Sequence, residues 1–415
     1  MKSIILKTSM FVGLFIFSQH VFAALDSAAE SIKLLKNCNS ETNCTTLPSE
    51  MIDWVNTART DKNKHVLVNI GPGAFSMPTS GFFCNQSNNV SYTGAGRNIT
   101  VLTGGGPSFL SGNIHDTVIN IKDCNNLSFK DLTIEADTWS NPASTGSRTG
   151  IEWAETADSN GNKKNTKSHW TNIDVKAGHN GWYDDGGVHF FYGSSIHTQS
   201  ISTVDGMAPY YSQGGETWFY GGELVSIHNS PESLVVVTGV IMNGGEIQIF
   251  GSSVRVIAKP GAGQVTPVGF GGFLAISNGK IHMHGGIVAV HAKDMTVPQD
   301  VYSVATNASF GAGGVVHTPG TAFALSPGST GTAYRIKPNG TASAQSPFLW
   351  PSGTSLPNIS SVTGSDIFVE TDCDDTGDCE NPTGAVHPHI MVYDVNCTAS
   401  SGPWFDSTRG VCRGE

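Results

Sequence analysis

Between residues 168 and 223 the chain concentrates side chains that can do chemistry on a sugar. The run holds His179, Trp182, Tyr183, Asp184 and Asp185, then His189, Phe191 and Tyr192, then Asp205, Tyr210, Tyr211, Glu216, Trp218 and Tyr220. Four of the chain's eight tryptophans fall between Trp153 and Trp218, inside about one sixth of its length. Aromatic rings stack on pyranose faces and carboxylates meet hydroxyls, so this mixture suits a sugar-binding groove. Trp170, Trp182, His189, Tyr192, Trp218 and Lys176 are the expected substrate contacts. Two catalytic schemes fit. In a glycosidase, paired carboxylates flank the scissile bond, roughly 5–5.5 Å apart for retention and roughly 6.5–9.5 Å for inversion. Asp184 and Asp185 are neighbours and cannot both face one groove from an extended strand, so one of them with Asp205 is the expected pair. In a lyase, a base acts beside a uronate while a cation offsets its carboxylate; Tyr183, His179, His189 and Lys176 could supply these roles. The structural alternative is an outer ladder of aromatics, with the aspartates as ordinary corner residues.

Two other clusters carry metal-ligand types. His282 and His284 share a strand face, with His291 nearby, an arrangement that could share a metal or simply face solvent. Residues 372–378 match the start of a calcium loop, with Asp372, Asp374, Thr376 and Asp378 as donors, although Thr383 stands where such a loop ends in Glu. An acidic hairpin clamped by Cys373 and Cys379 is the competing reading. The sugar chemistry requires no cofactor, and Ca2+ is the one candidate.

Such side chains need a scaffold, and the pattern predicts strands. Val66–Asn69 and Ile70 alternate before Gly71-Pro72-Gly73, and Thr100-Val101-Leu102 leads into Gly104-Gly105-Gly106. Val118-Ile119-Asn120-Ile121, Leu127-Ser128-Phe129 and Leu132-Thr133-Ile134 follow after short polar turns. In Trp170–Lys176, Ile173 and Val175 should face inward and Asn172, Asp174 and Lys176 outward. Residues 243–259 align with 277–293 at an offset of 34, with seven identities in 17 positions that include Gly245/Gly279, Ile247/Ile281, Gly251/Gly285 and Val256/Val290. A repeat of strands and glycine corners without helices predicts a β-solenoid, whose coils bury their inward faces only by stacking.

The runs HVLVNIGPGAF (65–75), VSYTGAGRNITVLTGGG (90–106) and DCNNLSFKDLTIEA (123–136) resemble the opening coils of pectin-lyase-like right-handed parallel β-helices. That superfamily includes pectate lyases, polygalacturonases, pectin methylesterases, epimerases, phage tailspikes and surface adhesins. The resemblance covers roughly residues 50 to 320 and implies the fold rather than one activity, because the fold hosts many chemistries. The polygalacturonase order of Asn-Thr-Asp, Asp-Asp, Gly-His-Gly and Arg-Ile-Lys is broken here: Asp184-Asp185 follows Gly178-His179-Asn180, and Asn-Thr-Asp is missing. The pectin methylesterase and pectate lyase active-site strings are also not found.

Composition agrees with this class. The 415 residues include 49 glycines and only 14% charged residues, about half the charge of ordinary domains. That argues against a helix-rich protein and against an acidic disordered chain. Residues 1–23 read as a signal peptide, with Lys2 and Lys7 before an apolar run and Val21-Phe22-Ala23 before the cut, which predicts a secreted or periplasmic protein without membrane insertion. The remaining chain carries 21 Lys+Arg against 34 Asp+Glu, a balance that disfavours nucleic acid and leaves polysaccharide as the expected partner. The eight cysteines suggest local bridges Cys38–Cys44, Cys373–Cys379 and Cys397–Cys412, leaving Cys84 and Cys124 for a long-range one. The predicted organisation is an N-terminal helical cap (24–64), an all-β right-handed parallel β-helix (65–322), a Ser/Thr/Pro/Gly-rich extended segment (323–362) and a small disulfide-stapled C-terminal module (363–415). The expected function is a secreted polysaccharide-acting hydrolase or lyase. The alternative is a non-catalytic protein that binds glycan or a host surface. An esterase is a third reading, but G-x-S-x-G is absent.

Overall fold

Short alternating segments leave every strand with one apolar face, and stacking equivalent strands is how such a chain buries it. The computed structural model describes residues 64–326 except 78–82, 111–114, 142–143, 145, 160, 162, 201–205, 293–294, 296–300 and 308–313, together with Ile52 and Val55. Glu30–Ser31, residues 266–268, 304–307 and 326, and six strands from Ala333–Asn339 onward are described as backbone.

The chain winds through three faces in each coil. Face one stacks Val66–Asn69, Asn88–Thr93, Asn125–Lys130, Lys167–Thr171, residues 188–192 and 216–220, Glu246–Phe250, Lys280–His284 and Val315–His317. Face two stacks Gly73–Met77, Thr100–Gly104, Thr133–Glu135, Asp174–Ala177, residues 194–199 and 222–228, Ser253–Ala258, Ile287–His291 and Ala322–Ser326. Face three runs from Cys84–Asn85 through Asn180–Asp184 and Ala208–Ser212 to Ala333–Asn339. Pairing between successive coils is parallel throughout, so the protein is a parallel β-helix. The sequence repeat is this stacking itself: Ile247 pairs with Ile281, Val254 with Val288 and Val256 with Val290.

Inside face one, an apolar column runs Val68, Tyr92, Phe129, Trp170, Phe191, Phe219, Ile249 and Met283, all buried. Phe129 and Trp170 stack with ring centroids 4.3 Å apart, and Phe191 and Phe219 at 5.3 Å. The corner between faces one and two turns on a residue in the left-handed region, occupied in successive coils by Asp131, Asn172, Gly193, Gly221, Gly251, Gly285 and Gly320, with Gly222 and Gly286 also at positive φ. Asn172 Nδ2 donates to Asp131 Oδ1 across this corner at 2.6 Å. Gly, Asn and Asp tolerate that conformation best, which accounts for the glycines of the repeat. The Cys84–Cys124 disulfide is present, with Cα atoms 6.3 Å apart, and joins two successive coils.

Strands also lie outside the segment read as coils. Glu30–Ser31, inside the segment read as helical, is a strand paired with Val66–Leu67, while Ile52 and Val55 are helical and buried. The coil stack continues past residue 322, because the alternation in Ala333–Asn339 makes a strand parallel to Val301–Asn307 despite its Pro/Gly-rich surroundings. Toward the C-terminus, Ile367–Cys373, His387–Tyr393, Trp404–Asp406 and Val411–Cys412 form an antiparallel series, a sheet separate from the coils. The signal segment 1–23, the disulfides Cys38–Cys44, Cys373–Cys379 and Cys397–Cys412 as bonded pairs, and the calcium-loop side chains of Asp372, Asp374, Thr376 and Asp378 lie outside the described residues. Among the described residues no helix is long and apolar enough to cross a membrane.

Candidate functional site

The structure distributes the predicted groove residues between the interior and all three outer surfaces. Trp170, Trp182 and His189 are fully buried inside the coils and so cannot stack on a ligand. The left-handed corner at Asn172 explains Trp170: it bends the expected continuous strand, so Trp170 and Ile173 both point inward. Trp170 Nε1 donates to Ser168 Oγ at 2.7 Å, Ser168 Oγ lies 2.8 Å from His189 Nδ1, and His189 Nε2 is 2.9 Å from the Gly186 carbonyl oxygen. Burial pushes the His189 imidazole down to about 3, so it is neutral and holds the interior network together.

Asp184 also points inward, from face three. It accepts hydrogen bonds from Trp182 Nε1 (2.5 Å), Tyr210 OH (3.0 Å) and Ser212 Oγ (2.5 Å). Burial pushes its carboxyl up to about 7 against these donors. Asp185 faces outward, as strand alternation requires, with Oδ2 2.8 Å from Lys163 Nζ and Oδ1 accepting from the Glu155 backbone N–H. The two do not share a groove, and Asp205 lies outside the described residues. His179 sits at the turn before face three, its ring 4.4 Å from that of His115; burial, His115 and Arg148 push it down to about 3. Tyr183 is on the outside of face three but buried there, stacked on Tyr211 at 4.8 Å and accepting from Gln213 Nε2 at 2.7 Å. Burial, Tyr211 and Glu152 hold its hydroxyl well above the usual tyrosine range, so it is a poor base.

Tyr192 and Trp218 do reach a surface, and there they belong to a larger array. On the outside of face one, His169, Phe190 and Trp218 form one column, with centroids 5.0 and 5.2 Å apart. Tyr192, Tyr220, Phe250 and His284 form a second column two residues along each strand, spaced 5.3, 5.0 and 4.7 Å. Tyr192 and Tyr220 are 39% and 38% exposed. Glu216 and Glu246 are register neighbours along the edge of this strip. Phe190, Tyr220, Phe250 and His169 were not among the expected contacts. The signal for two of them lies in HFFYG (189–193) and TWFYG (217–221), whose shared Phe-Tyr-Gly fixes which residues stack.

Around the left-handed corner, face two carries a charged cluster that includes Lys176. Its Nζ donates to Asn98 Oδ1 at 2.9 Å and lies 3.5 Å from Asp174 Oδ2 and 3.7 Å from Glu135 Oε2. Arg97 reaches over the face to donate to Ser195 Oγ and the Gly193 carbonyl. Asp174, Ser195 and Glu223 are register neighbours in one outward column. Glu223 pairs with Arg255 and lies 3.1 Å from His197 Nε2, with Trp139 edge-on to His197. Burial opposes the charge on Glu223, but Arg255 and His197 outweigh it and hold the carboxyl below its usual range. Asp174 is 8% exposed, and its Oδ1 is buried without a hydrogen-bond partner.

The pairing register and these surfaces define a parallel β-helix protein with an aromatic strip and an adjoining charged face. Solved structures similar to the chain include a pectin methylesterase from Yersinia enterocolitica, at 12% identity and TM-score 0.37, covering 60% of this chain and 86% of that one. The enzymatically active domain of tailspike protein 2 of bacteriophage CBA120 is similar at 12% identity and TM-score 0.38, covering 74% and 45%. Full-length tailspike protein 2 from the Escherichia coli O157:H7 bacteriophage CAB120 gives 12% and 0.37, covering 80% and 42%, so the chain spans less than half of both tailspike chains. No protein-family model and no curated protein matches the chain.

Proposed function

We propose that this protein binds polysaccharide along the outer strip of face one. The observation that carries this reading is the pair of adjacent aromatic columns, His169–Phe190–Trp218 and Tyr192–Tyr220–Phe250–His284. Aromatic side chains exposed together on a sheet surface mark an interaction site more readily than single exposed residues do. The rings are offset-stacked on one another, so they offer edges, partial faces and tyrosine hydroxyls rather than whole faces. A surface that repeats with every coil fits a ligand that also repeats, and an extended glycan is such a ligand. Glu216, Glu246 and Gln248 lie beside the rings to meet hydroxyl groups.

Turnover of that glycan is a second reading, favoured by face two. Asp174 and Glu223 flank Ser195, two strand spacings or about 9.5 Å apart along the stack. That is at the upper end of the roughly 6.5–9.5 Å carboxylate separation of inverting glycosidases.

One experiment addresses both. The full chain is titrated with a panel of neutral and uronic-acid polysaccharides, while reducing ends and unsaturated-product absorbance are followed. Trp218→Ala with Tyr220→Ala should weaken binding at least about tenfold, as hot-spot aromatics do. Binding to none of the glycans, or binding that the double variant leaves intact, overturns the proposal. Product formation that Asp174→Asn and Glu223→Gln abolish would support turnover; binding without product leaves a binding protein.

A further inference from the structure

Where the chain turns from face three to face one, three successive coils leave a polar cleft between them. Gln86 and Asn88 come from one coil, Asp123 and Asn125 from the next, and Lys164 and Thr166 from the one after. The cleft has a volume of about 310 Å3, and each of these six residues is polar. Its walls are fixed before any ligand arrives. The Cys84–Cys124 disulfide ties the first two coils together beside it. Asn88 Oδ1 accepts from the Asn125 backbone N–H at 3.3 Å, and Asn125 Oδ1 accepts from the Lys167 backbone N–H at 2.9 Å. With the Asn125 carbonyl engaged by the next coil, its Nδ2 donor is the half of the amide left to meet a ligand. The Thr166 hydroxyl is held from behind, by Trp153 Nε1 at 3.2 Å and by the Glu155 carboxylate. Asp123 is the buried member, its side chain 1% exposed, with Oδ1 accepting from the Thr156 backbone N–H at 2.7 Å and Oδ2 lying 3.0 Å from Lys164 Nζ. Burial opposes the charge on Asp123, but Thr156 and Lys164 outweigh it and hold the carboxyl below its usual range. The pair therefore stays ionised at neutral pH, and the lining carries no net charge.

We propose that this cleft binds a single neutral sugar unit, with Asn125 Nδ2 and Lys164 Nζ donating to its hydroxyl oxygens and the Gln86 amide both donating and accepting. A volume at the lower end of the roughly 300–1,000 Å3 of ligand pockets suits a ligand of one ring. A lining of amides, hydroxyl and paired charges meets hydroxyl groups and offers nothing to an apolar molecule. The ammonium has three hydrogens, so its contact with Asp123 leaves others for the ligand. Because Lys164 is already neutralised by Asp123, an anionic sugar gains no advantage over a neutral one. Amides locked by the coil stack also lose little freedom when the ligand enters. The cleft shares no residue with the aromatic strip and does not rest on the glycan reading.

The test is an amide-detected NMR titration of the full chain with D-glucose, D-galactose, D-mannose and N-acetyl-D-glucosamine, each alone. D-glucuronate is the anionic comparison, and far-ultraviolet circular dichroism is the folding control. At least one neutral sugar should shift the Asn88, Asn125 and Lys164 amides saturably, with a Kd on the order of millimolar. Asn125→Asp, which keeps the shape and loses the donor, should weaken binding about tenfold, and Gln86→Ala, at an exposed position, about threefold. Trp218→Ala with Tyr220→Ala should leave it unchanged, which separates this cleft from the strip. Saturable binding of none of the neutral sugars, binding that survives both Asn125→Asp and Gln86→Ala in folded protein, binding lost with the strip variant, or glucuronate binding more tightly than every neutral sugar overturns the proposal.

Discussion

A carboxyl placed among Trp182, Tyr210 and Ser212 inside the coil stack receives three hydrogen bonds yet is pushed up to about 7, because losing water costs the charged form more than those donors return. The folded protein therefore holds the Asp184 proton over a range, from about 4 to about 7, in which the unfolded chain has already released it. Stability contributed by this group falls as pH rises through that window. His179 and His189 act in the opposite direction: with imidazoles near 3 in the fold and ordinary values when unfolded, they cost stability as pH falls below about 6.5. Asp184→Asn should remove only the first dependence. In urea unfolding at pH 5 and pH 8, the change in stability on going to pH 8 should be more favourable in the variant than in the native protein, by an amount on the order of a few kcal/mol. Parallel pH profiles for the two proteins would show that Asp184 is not the group responsible. The chemistry expected of Asp184, Trp182 and His189 was misplaced for one reason. Residues that attract attention by type are also the residues that a wide solenoid uses to fill its interior.

At the scale of elements, the corner between faces one and two decides which residues are presented. A residue in the left-handed conformation breaks strand alternation, so the parity that assigns Ile173 and Val175 inward also turns Trp170 inward and leaves Lys176 out. Gly251 occupies this corner at φ 57°, and an added Cβ there would meet nothing within 4 Å. Space is therefore not the constraint; backbone conformation is. Gly251→Val should cost at least about 1–2 kcal/mol in unfolding free energy. Gly251→Asn should cost clearly less, since Asn172 already fills the equivalent corner two coils below Gly221. Equal losses in the two variants, read by thermal or denaturant unfolding, would mean that side-chain crowding rather than φ governs the corner. The glycine pair at 251 and 285 was legible in the sequence repeat; the Asp and Asn members of the same column were not, because they share no residue type with it.

Across the whole molecule, each coil touches the one before and the one after, so stability is a sum of neighbouring interfaces rather than the property of one central core. Phe219 stacks on Phe191 at 5.3 Å and is followed in its column by Ile249. Phe219→Ala should cost about 3–5 kcal/mol. The loss should be local: amide exchange should accelerate in residues 188–192, 216–220 and 246–250 and change little in Val66–Asn69. A uniform loss of protection along the chain would contradict a one-dimensional stack. The strip on face one and the charged cluster on face two follow from the same arrangement, since each assembles residues from coils about 20 to 40 positions apart, such as Phe190 with Trp218 and Asp174 with Ser195.

By itself the sequence determined the class of fold. Period-two alternation, corner residues and the offset of 34 are local features, and together they point to strands that stack coil on coil. It also determined that Asp184 and Asp185 face opposite ways, and the cysteine spacing suggested the Cys84–Cys124 bridge that the structure contains. Only the tertiary structure decided which surface each side chain joins. Coil lengths vary, from 21 residues between Lys167 and Val188 to 41 between Leu127 and Ser168, so the partner across a coil cannot be counted out from one end. That is why Trp170 was expected in a groove and lies in the core, and why His282 finds His317 rather than His284. Alternation acts between adjacent residues, whereas a site is made of neighbours whose distance along the chain is set by loops.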